Sequence, residues 1–396
     1  MEKMTVKIVG LTTTSEELIK GITKEDYELN GGHSANICYT QKSYDEILTE
    51  PIEKTIERAN GNKENKHHSV FGHDNIELYF EGIPKIIAML INNEKEYNTS
   101  EKSGRYTTMF GSEKENELYN KWKEIFKEEI KKEYPNEIYL TDKMITKKAM
   151  ENSRYLLSVF MRTKMKYTTS FRQLNYLYDF TCKMISEDTT NPLKCELKPY
   201  LEEFRDTLLS TGFISEGIRE YRNRSFSLIQ DDNSFDDQFG RCYSVNYDST
   251  FPALADLQRH RSLDYSLSLK EDRDFYVPKI IRDKYDLVRE WKDDMNSVST
   301  FPQGLLVNVN ETGKYEDFIM KLYERLCTAA QLEVCDITKE TLTKYVKSLE
   351  LSELKSNKKI LEKLKKYTLG ARCTFEEFDC PSPCKFVKGI ILSRKI

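Results

Sequence analysis

Apolar and polar residues alternate over Val6-Lys-Ile-Val9, up to Gly10, and again over Ile76-Glu-Leu-Tyr-Phe80, the period-two pattern of half-buried strands. Helical spacing fills much of the rest. Ser15-Glu-Glu-Leu-Ile19 opens a helix on a capping serine, and a second helical pattern runs from Tyr44 to Arg58 and ends near the turn signal Asn60-Gly61. Pro84 to Ile91 predicts a short apolar helix with Ile86, Ile87, Leu90 and Ile91 as its buried stripe, followed by a polar loop from Asn92 to Tyr106. Lysine and glutamate dominate 113–148, with Trp122 and Phe126 at helical spacing, which reads as a solvated helical face. A mixed apolar segment spans 154–167. Helices are predicted over 172–180, with Leu174, Leu177 and Tyr178 on one side, and over 199–210, separated by the polar break Ser186–Pro192.

The second half repeats this plan in shorter form. Arg241 to Tyr247 reads as a strand, Pro252 to Gln258 as a helix, and the chain from Arg259 as a polar loop that ends at Phe275-Tyr-Val-Pro278. Gly304 to Asn310 is a strand and Tyr315 to Leu326 an amphipathic helix. The order strand, helix, polar loop, strand, helix thus occurs twice. The expected division is 1–212 for a first domain and 213–396 for a second, shortened one with a cysteine-containing tail, and the expected fold class is α/β.

Composition narrows the partners. With 61 basic and 65 acidic residues the net charge is −4, so nothing favours nucleic acid or an acidic membrane surface. No apolar run approaches the roughly 20 residues of a membrane span. Nine cysteines, scattered and odd in number, favour reduced thiols and a cytoplasmic location. Cys373, Cys380 and Cys384 leave two readings open, buried thiols or a structural metal with a fourth ligand from elsewhere, because C-x6-C-x3-C is not a standard zinc spacing. His67, His68 and His73 lack a supporting ligand pattern, so no metal is assigned. The lysine-rich helices near 113–148 and 353–366 read as solvated faces.

The basic tripeptide Arg259-His260-Arg261 stands at the end of a predicted helix, where successive side chains fan out and can offer several donors to an anion or polar ring. Alone, such a triplet is usually a solvated tip. The surrounding motifs change that. Val6-Lys-Ile-Val-Gly10, Cys38-Tyr39, Lys42-Ser43-Tyr-Asp-Glu46, His67-His68-Ser69-Val70-Phe71-Gly72-His73 and Ser103-Gly104-Arg105-Tyr106, with Arg154 and Arg172, resemble the flavin-dependent thymidylate synthases, the ThyX family, over residues 4 to 185. A second partial copy over 240 to 335 carries Arg259-His260-Arg261, Phe275-Tyr-Val-Pro278, and Arg325 with Ala330-Gln331-Leu-Glu333-Val334.

Each copy lacks what the other keeps. The first has Asn92-Asn93-Glu94 in place of Arg-His-Arg, Thr181 where the late arginine belongs, and Gly72 where the family has glutamate. The second lacks the Ser-Gly-Arg ending and has no arginine near Val298. The resemblance therefore implies two ThyX-like domains, each a curved sheet flanked by helices, arranged as an internal pseudo-dimer with one composite site. Substrate binding would fall to Ser103, Gly104, Arg105, Arg154 and Arg325, the last as the catalytic residue that polarises the uracil ring. Flavin would fall to Arg259, His260, Arg261, His67, Ser69 and Arg172. The implied reaction converts dUMP to dTMP with FAD, methylenetetrahydrofolate and NADPH. The alternatives are flavin-dependent one-carbon transfer to another pyrimidine nucleotide, or a non-catalytic flavin- or nucleotide-binding homologue. A homodimer imitating the family's tetramer is the expected assembly. Arg325 paired with Glu324 or Glu333 on a helix surface is the competing structural reading.

Overall fold

The computed structural model describes residues 3–12, 21–37, 40–135, 140–233, 235–380, 384 and 394–396. The helix expected at Ser15–Ile19 and the Cys38-Tyr39 pair lie outside the described residues. In chain order the elements are β1 (Thr5–Leu11), α1 (Lys24–Ile37), α2 (Tyr44–Leu48), α3 (Ile52–Glu64), β2 (Asn75–Pro84), α4 (Lys85–Asn93) and β3 (Tyr97–Glu101). Next come α5 (Glu113–Glu133), α6 (Asp142–Ser153), β4 (Arg162–Ser170), α7 (Phe171–Ser186) and α8 (Pro192–Leu209). The chain continues with β5 (Cys242–Ser249), α9 (Phe251–Leu257), β6 (Asp264–Leu269), α10 (Tyr285–Asn296), β7 (Val307–Lys314), α11 (Tyr315–Arg325), α12 (Leu332–Glu350) and α13 (Lys355–Lys365). The class is α/β, as the sequence pattern predicts. No described helix is long and apolar enough to cross a membrane.

Two antiparallel sheets carry the repeat. One has the order β1-β2-β4-β3 and the other β5-β7-β6. With β1 set aside, β2, β3 and β4 occupy the positions of β5, β6 and β7, and each middle strand runs straight into a helix, β4 into α7 and β7 into α11. The two short helices that follow the first strand of each set begin around a proline, Pro84 before α4 and Pro252 inside the first turn of α9, where a missing amide hydrogen costs nothing. The chemistry of the caps is local as well: Ser170 accepts from the Gln173 amide at 3.1 Å to start α7, and Thr250 from the Ala253 amide at 3.4 Å to start α9.

Several expectations need correction. The polar loops after α4 and α9 each contain an edge strand: the polar residues of β3 hide it from a hydrophobicity pattern, whereas β6, Asp264-Tyr-Ser-Leu-Ser-Leu269, alternates with period two. Pro51 splits the 44–58 pattern into α2 and α3, and α3 runs on through Asn60-Gly61 to Glu64. The last helix of the first half starts at Pro192, capped by Asn191, with Pro199 inside it. The face around Trp122 is not solvated: Trp122 and Phe126 are fully buried, with Trp291 edge-on to Trp122 at 4.8 Å.

The chain forms two compact units that interleave in sequence. The first comprises 1–102 and 162–227, the second 103–161 and 228–396. Phe71, Phe80, Phe171, Phe180 and Phe204 are core residues of the first, and Trp122, Trp291, Tyr155 and Tyr345 of the second. The segment 103–161, with α5 and α6, therefore belongs to the second unit together with everything after 228. The 1–212 and 213–396 division describes sequence copies, a separate matter from this spatial grouping.

Candidate active site

That interleaving puts arginines from both sequence copies in one unit. Arg105 follows the Ser103-Gly104 turn, in which the Ser103 hydroxyl accepts from the Arg105 amide at 3.3 Å and the Ser103 carbonyl accepts from the Tyr106 and Thr107 amides. Arg154 ends α6, and Arg325 ends α11. Asp256, on α9, is the meeting point of Arg105, Arg325 and Arg259. Its Oδ2 lies 3.5 Å from Arg325 Nη1 and 3.9 Å from Arg105 Nη1, while Oδ1 lies 3.9 Å from Arg259 Nε. Arg325 Nη2 also donates to the Asp256 carbonyl at 2.9 Å, and Arg325 Nε donates to His260 Nε2 at 2.7 Å. The reading in which Arg325 pairs with Glu324 or Glu333 gives way to this arrangement.

Glu151 is the second anchor. Arg105 Nε donates to its Oε2 at 2.6 Å, and Arg105 Nη2 donates to the Ala329 carbonyl at 2.7 Å. Arg154 Nη2 donates to Gln331 Oε1 at 2.5 Å, and a chain of hydrogen bonds leads on from Gln331 to the Tyr155 hydroxyl, to the Glu333 carboxyl and to Thr250. Gly104 permits this packing: a Cβ there would stand 3.2 Å from Met109 Cγ and 3.4 Å from Arg154 Cδ. Arg154 Nε is buried with no hydrogen-bond partner.

The local charge balance is positive. Arg105, Arg154, Arg325 and Lys148 surround the carboxylates of Glu151 and Asp256. Burial works to raise the Glu151 carboxyl, but Lys148, Arg105 and Arg154 outweigh it and hold it at about 2. Burial, together with Arg394 and Arg105, brings Lys148 down to about 8 against the pull of Glu151. His260 is lowered to about 3 by burial and by the charges of Arg325 and Lys321, so the imidazole is neutral at pH 7. Its Nε2 faces a donor, which places the ring proton on Nδ1. A neutral histidine can orient Arg325 without adding to the repulsion. Arg259 and Arg261 are exposed beyond the cluster.

A separate cavity of about 440 Å³ lies in the first unit. His67, Ser69 and Arg172 line it, together with Lys66, Arg222 and Arg224. Arg172 stands 5.8 Å over the Tyr176 ring and 3.8 Å from the Glu96 carboxylate, and its Nε is buried without a hydrogen-bond partner. His68 Nδ1 is 3.3 Å from the Tyr176 hydroxyl, and burial lowers its pKa. A Cβ on Gly72 would meet Arg172 Cζ at 3.7 Å, an ordinary contact.

The predicted residues thus divide into two groups. Ser103, Gly104, Arg105, Arg154, Arg259, His260, Arg261 and Arg325 lie in the second unit, and His67, Ser69 and Arg172 line the cavity of the first. At the position equivalent to Arg325, each ten residues on from the first residue of its helix, Thr181 is fully buried and donates to the Leu177 carbonyl at 2.7 Å. Sequence reasoning missed Asp256, Glu151 and Lys148, which offered no motif, only positions on amphipathic helices. It also missed Lys66, Arg222 and Arg224; three arginines within Arg219–Arg224 were the available signal for the last two. Among the described residues no group of three or more His, Cys, Asp or Glu side chains is arranged to hold a metal ion.

Residues 22–188 match the family model described as thymidylate synthase complementing protein. That segment, somewhat less than half of the chain, is similar to the thymidylate synthase complementing (ThyX) family. The match ends before the second copy. Among solved structures, the chain is similar to a UMP/dUMP methylase, PolB, from Streptomyces cacaoi bound with 5-Br dUMP, at 12% sequence identity and a TM-score of 0.30, over 54% of this chain and 97% of that one. No curated protein matches the chain.

Proposed function

We propose that the protein is a thymidylate synthase-like enzyme that methylates dUMP to dTMP, using FAD, methylenetetrahydrofolate and NADPH. The observation that carries the reading is the convergence of Arg105, from the first sequence copy, and Arg325, from the second, on one carboxylate, Asp256, within 4 Å. In this reading the two copies supply one nucleotide site between them. The nucleotide's phosphate would take the Ser103 hydroxyl, the Gly104 amide and Arg105, displacing the long contact between Arg105 and Asp256. Arginine suits that role because it stays charged and binds two oxygens at once. Arg154, with an unpartnered buried Nε, offers a further donor.

Arg325 would lie against the pyrimidine and stabilise negative charge on its carbonyl oxygen as the ring reacts. Asp256 and neutral His260 would hold its guanidinium in place. The first unit's cavity fits a flavin dinucleotide in chemistry: Arg172 has a buried, unpartnered Nε there beside Ser69 and His67, and cations suit a diphosphate. Bound there, the flavin would supply hydride chemistry that the side chains cannot. Arg259 and Arg261, exposed beside the arginine cluster, would offer donors to an anionic group of a ligand bound there.

Release of tritium from dUMP labelled at the 5-position, in the presence of FAD, methylenetetrahydrofolate and NADPH, tests the reading. The wild-type chain is expected to release tritium and Arg325→Ala to lose that release while keeping its fold. A chain that takes up no FAD and releases no tritium refutes it. Gly72, which puts no side chain beside the Arg172 guanidinium where a Cβ would stand 3.7 Å away, favours a second reading: transfer to a different pyrimidine nucleotide, separated by comparing dUMP, dCMP and UMP as substrates.

A further inference from the structure

The stretch that joins the two sequence copies is built into the first unit by charge. Where that unit has Asn92-Asn93-Glu94 rather than cations, Arg224 enters from the joining stretch. Its Nη1 lies 2.7 Å from Glu94 Oε2, and its guanidinium carbon stands 4.3 Å over the Phe180 ring. Ser227 donates to the same carboxylate through its amide and its hydroxyl, both at 2.7 Å. Glu220, whose side chain is fully buried, accepts from Arg222 Nε at 3.1 Å and lies 3.9 Å from Arg224 Nε. Lys183, on α7, donates to the carbonyls of Glu220 and Arg224, each at 3.3 Å. A segment with no periodic pattern is thereby fixed on α4 and α7.

The other side of this stretch faces the 440 Å³ cavity. Lys66, Arg172, Arg222 and Arg224 line it, and Glu220, already engaged by two arginines, is the acidic residue among the described lining. The Arg222 side chain is 65% exposed, so its charge is available to a ligand. Tyr221, half exposed, makes a T-shaped contact with His68 at 6.3 Å, and the Arg222 guanidinium carbon lies 5.8 Å from its ring centroid. A cavity with several cations, a half-exposed aromatic ring and a buried unpartnered guanidinium nitrogen suits a phosphate chain carrying a planar base.

We infer that the joining stretch completes a nucleoside-diphosphate site in the first unit, with Arg222 and Arg224 replacing the cations that its own Asn92-Asn93-Glu94 position lacks, and Tyr221 lying against the base. The inference deepens the cofactor side of the proposed function, and its test separates the two. Calorimetric titration of the full chain with ADP is expected to show binding. Arg222→Gln and Lys66→Gln should each weaken it about ten-fold and the double variant about a hundred-fold, in chains whose folding is verified by circular dichroism. Arg224→Lys, which keeps the charge next to Glu94, should retain binding within a few-fold, and Arg325→Gln should leave it untouched. Absence of ADP binding at millimolar concentration, or wild-type affinity in the Arg222→Gln Lys66→Gln variant, overturns the inference. Competition by FAD assigns the site to the flavin's diphosphate. ADP binding that FAD does not displace supports the site while contradicting the flavin placement given above.

Discussion

Replacing Glu151 with glutamine isolates the charge balance on which the arginine cluster depends. The carboxyl titrates at about 2 in the folded chain against an ordinary value of 4.5, and at about 1.4 kcal/mol per pH unit that difference contributes about 3 kcal/mol of stability at neutral pH. Breaking a buried ion pair by removing one partner leads to a similar figure, about 3–5 kcal/mol. The contribution is complete above pH 4.5, declines as the pH falls through the interval, and is gone below about 2. Glu151→Gln should therefore lose about 3 kcal/mol at pH 7 and only about 1.4 kcal/mol at pH 3 relative to the wild type. Both tryptophans of the chain, Trp122 and Trp291, are in the core of the unit that holds Glu151. Urea unfolding followed by tryptophan fluorescence thus reports on the relevant unit. A loss under 1 kcal/mol at pH 7, or a loss of equal size at both pH values, would refute the reasoning.

Two further outcomes follow from single contacts. His260 titrates at about 3 when folded and at 6.5 when free, so its contribution to stability is full above pH 6.5 and falls by about 1.4 kcal/mol per unit as the pH drops toward 3; in His260→Asn, the same fluorescence-detected unfolding should show a flatter pH dependence between 6 and 4. In the first unit, a Cβ on Gly31 would stand 2.4 Å from Phe71 Cδ1, so Gly31→Ala should cost about 1–3 kcal/mol by overpacking, measured by denaturant unfolding with circular dichroism.

The duplicated plan was legible because two features survive in sequence: a proline at the start of each short helix, Pro84 and Pro252, and an apolar strand leading directly into an amphipathic helix. Strand β3 was not, since Tyr97-Asn-Thr-Ser-Glu101 carries too many polar residues for a hydrophobicity pattern to mark it as sheet; β6, Asp264-Tyr-Ser-Leu-Ser-Leu269, does alternate with period two, and its signal was overlooked beside the basic tripeptide. The arginines of the candidate site were legible from motifs. The groups that hold them were not. Asp256, Glu151 and Lys148 are ordinary helix residues in sequence, and only folding brings them against guanidinium groups from distant segments. Equally hidden was the transfer of 103–161 into the second unit, because the choice of partner for α5 and α6 depends on which apolar faces fit, such as Trp122 against Trp291.

The account stands or falls on cations from both sequence copies sharing one nucleotide. Equilibrium binding of dUMP to the full chain tests this directly, with Arg105→Gln and Arg325→Gln as variants whose folding is verified by tryptophan fluorescence. One dUMP per chain is predicted, weakened about 10- to 100-fold by either substitution, the scale of one charged hydrogen bond. Two dUMP per chain, or affinity unchanged in either variant, would contradict it.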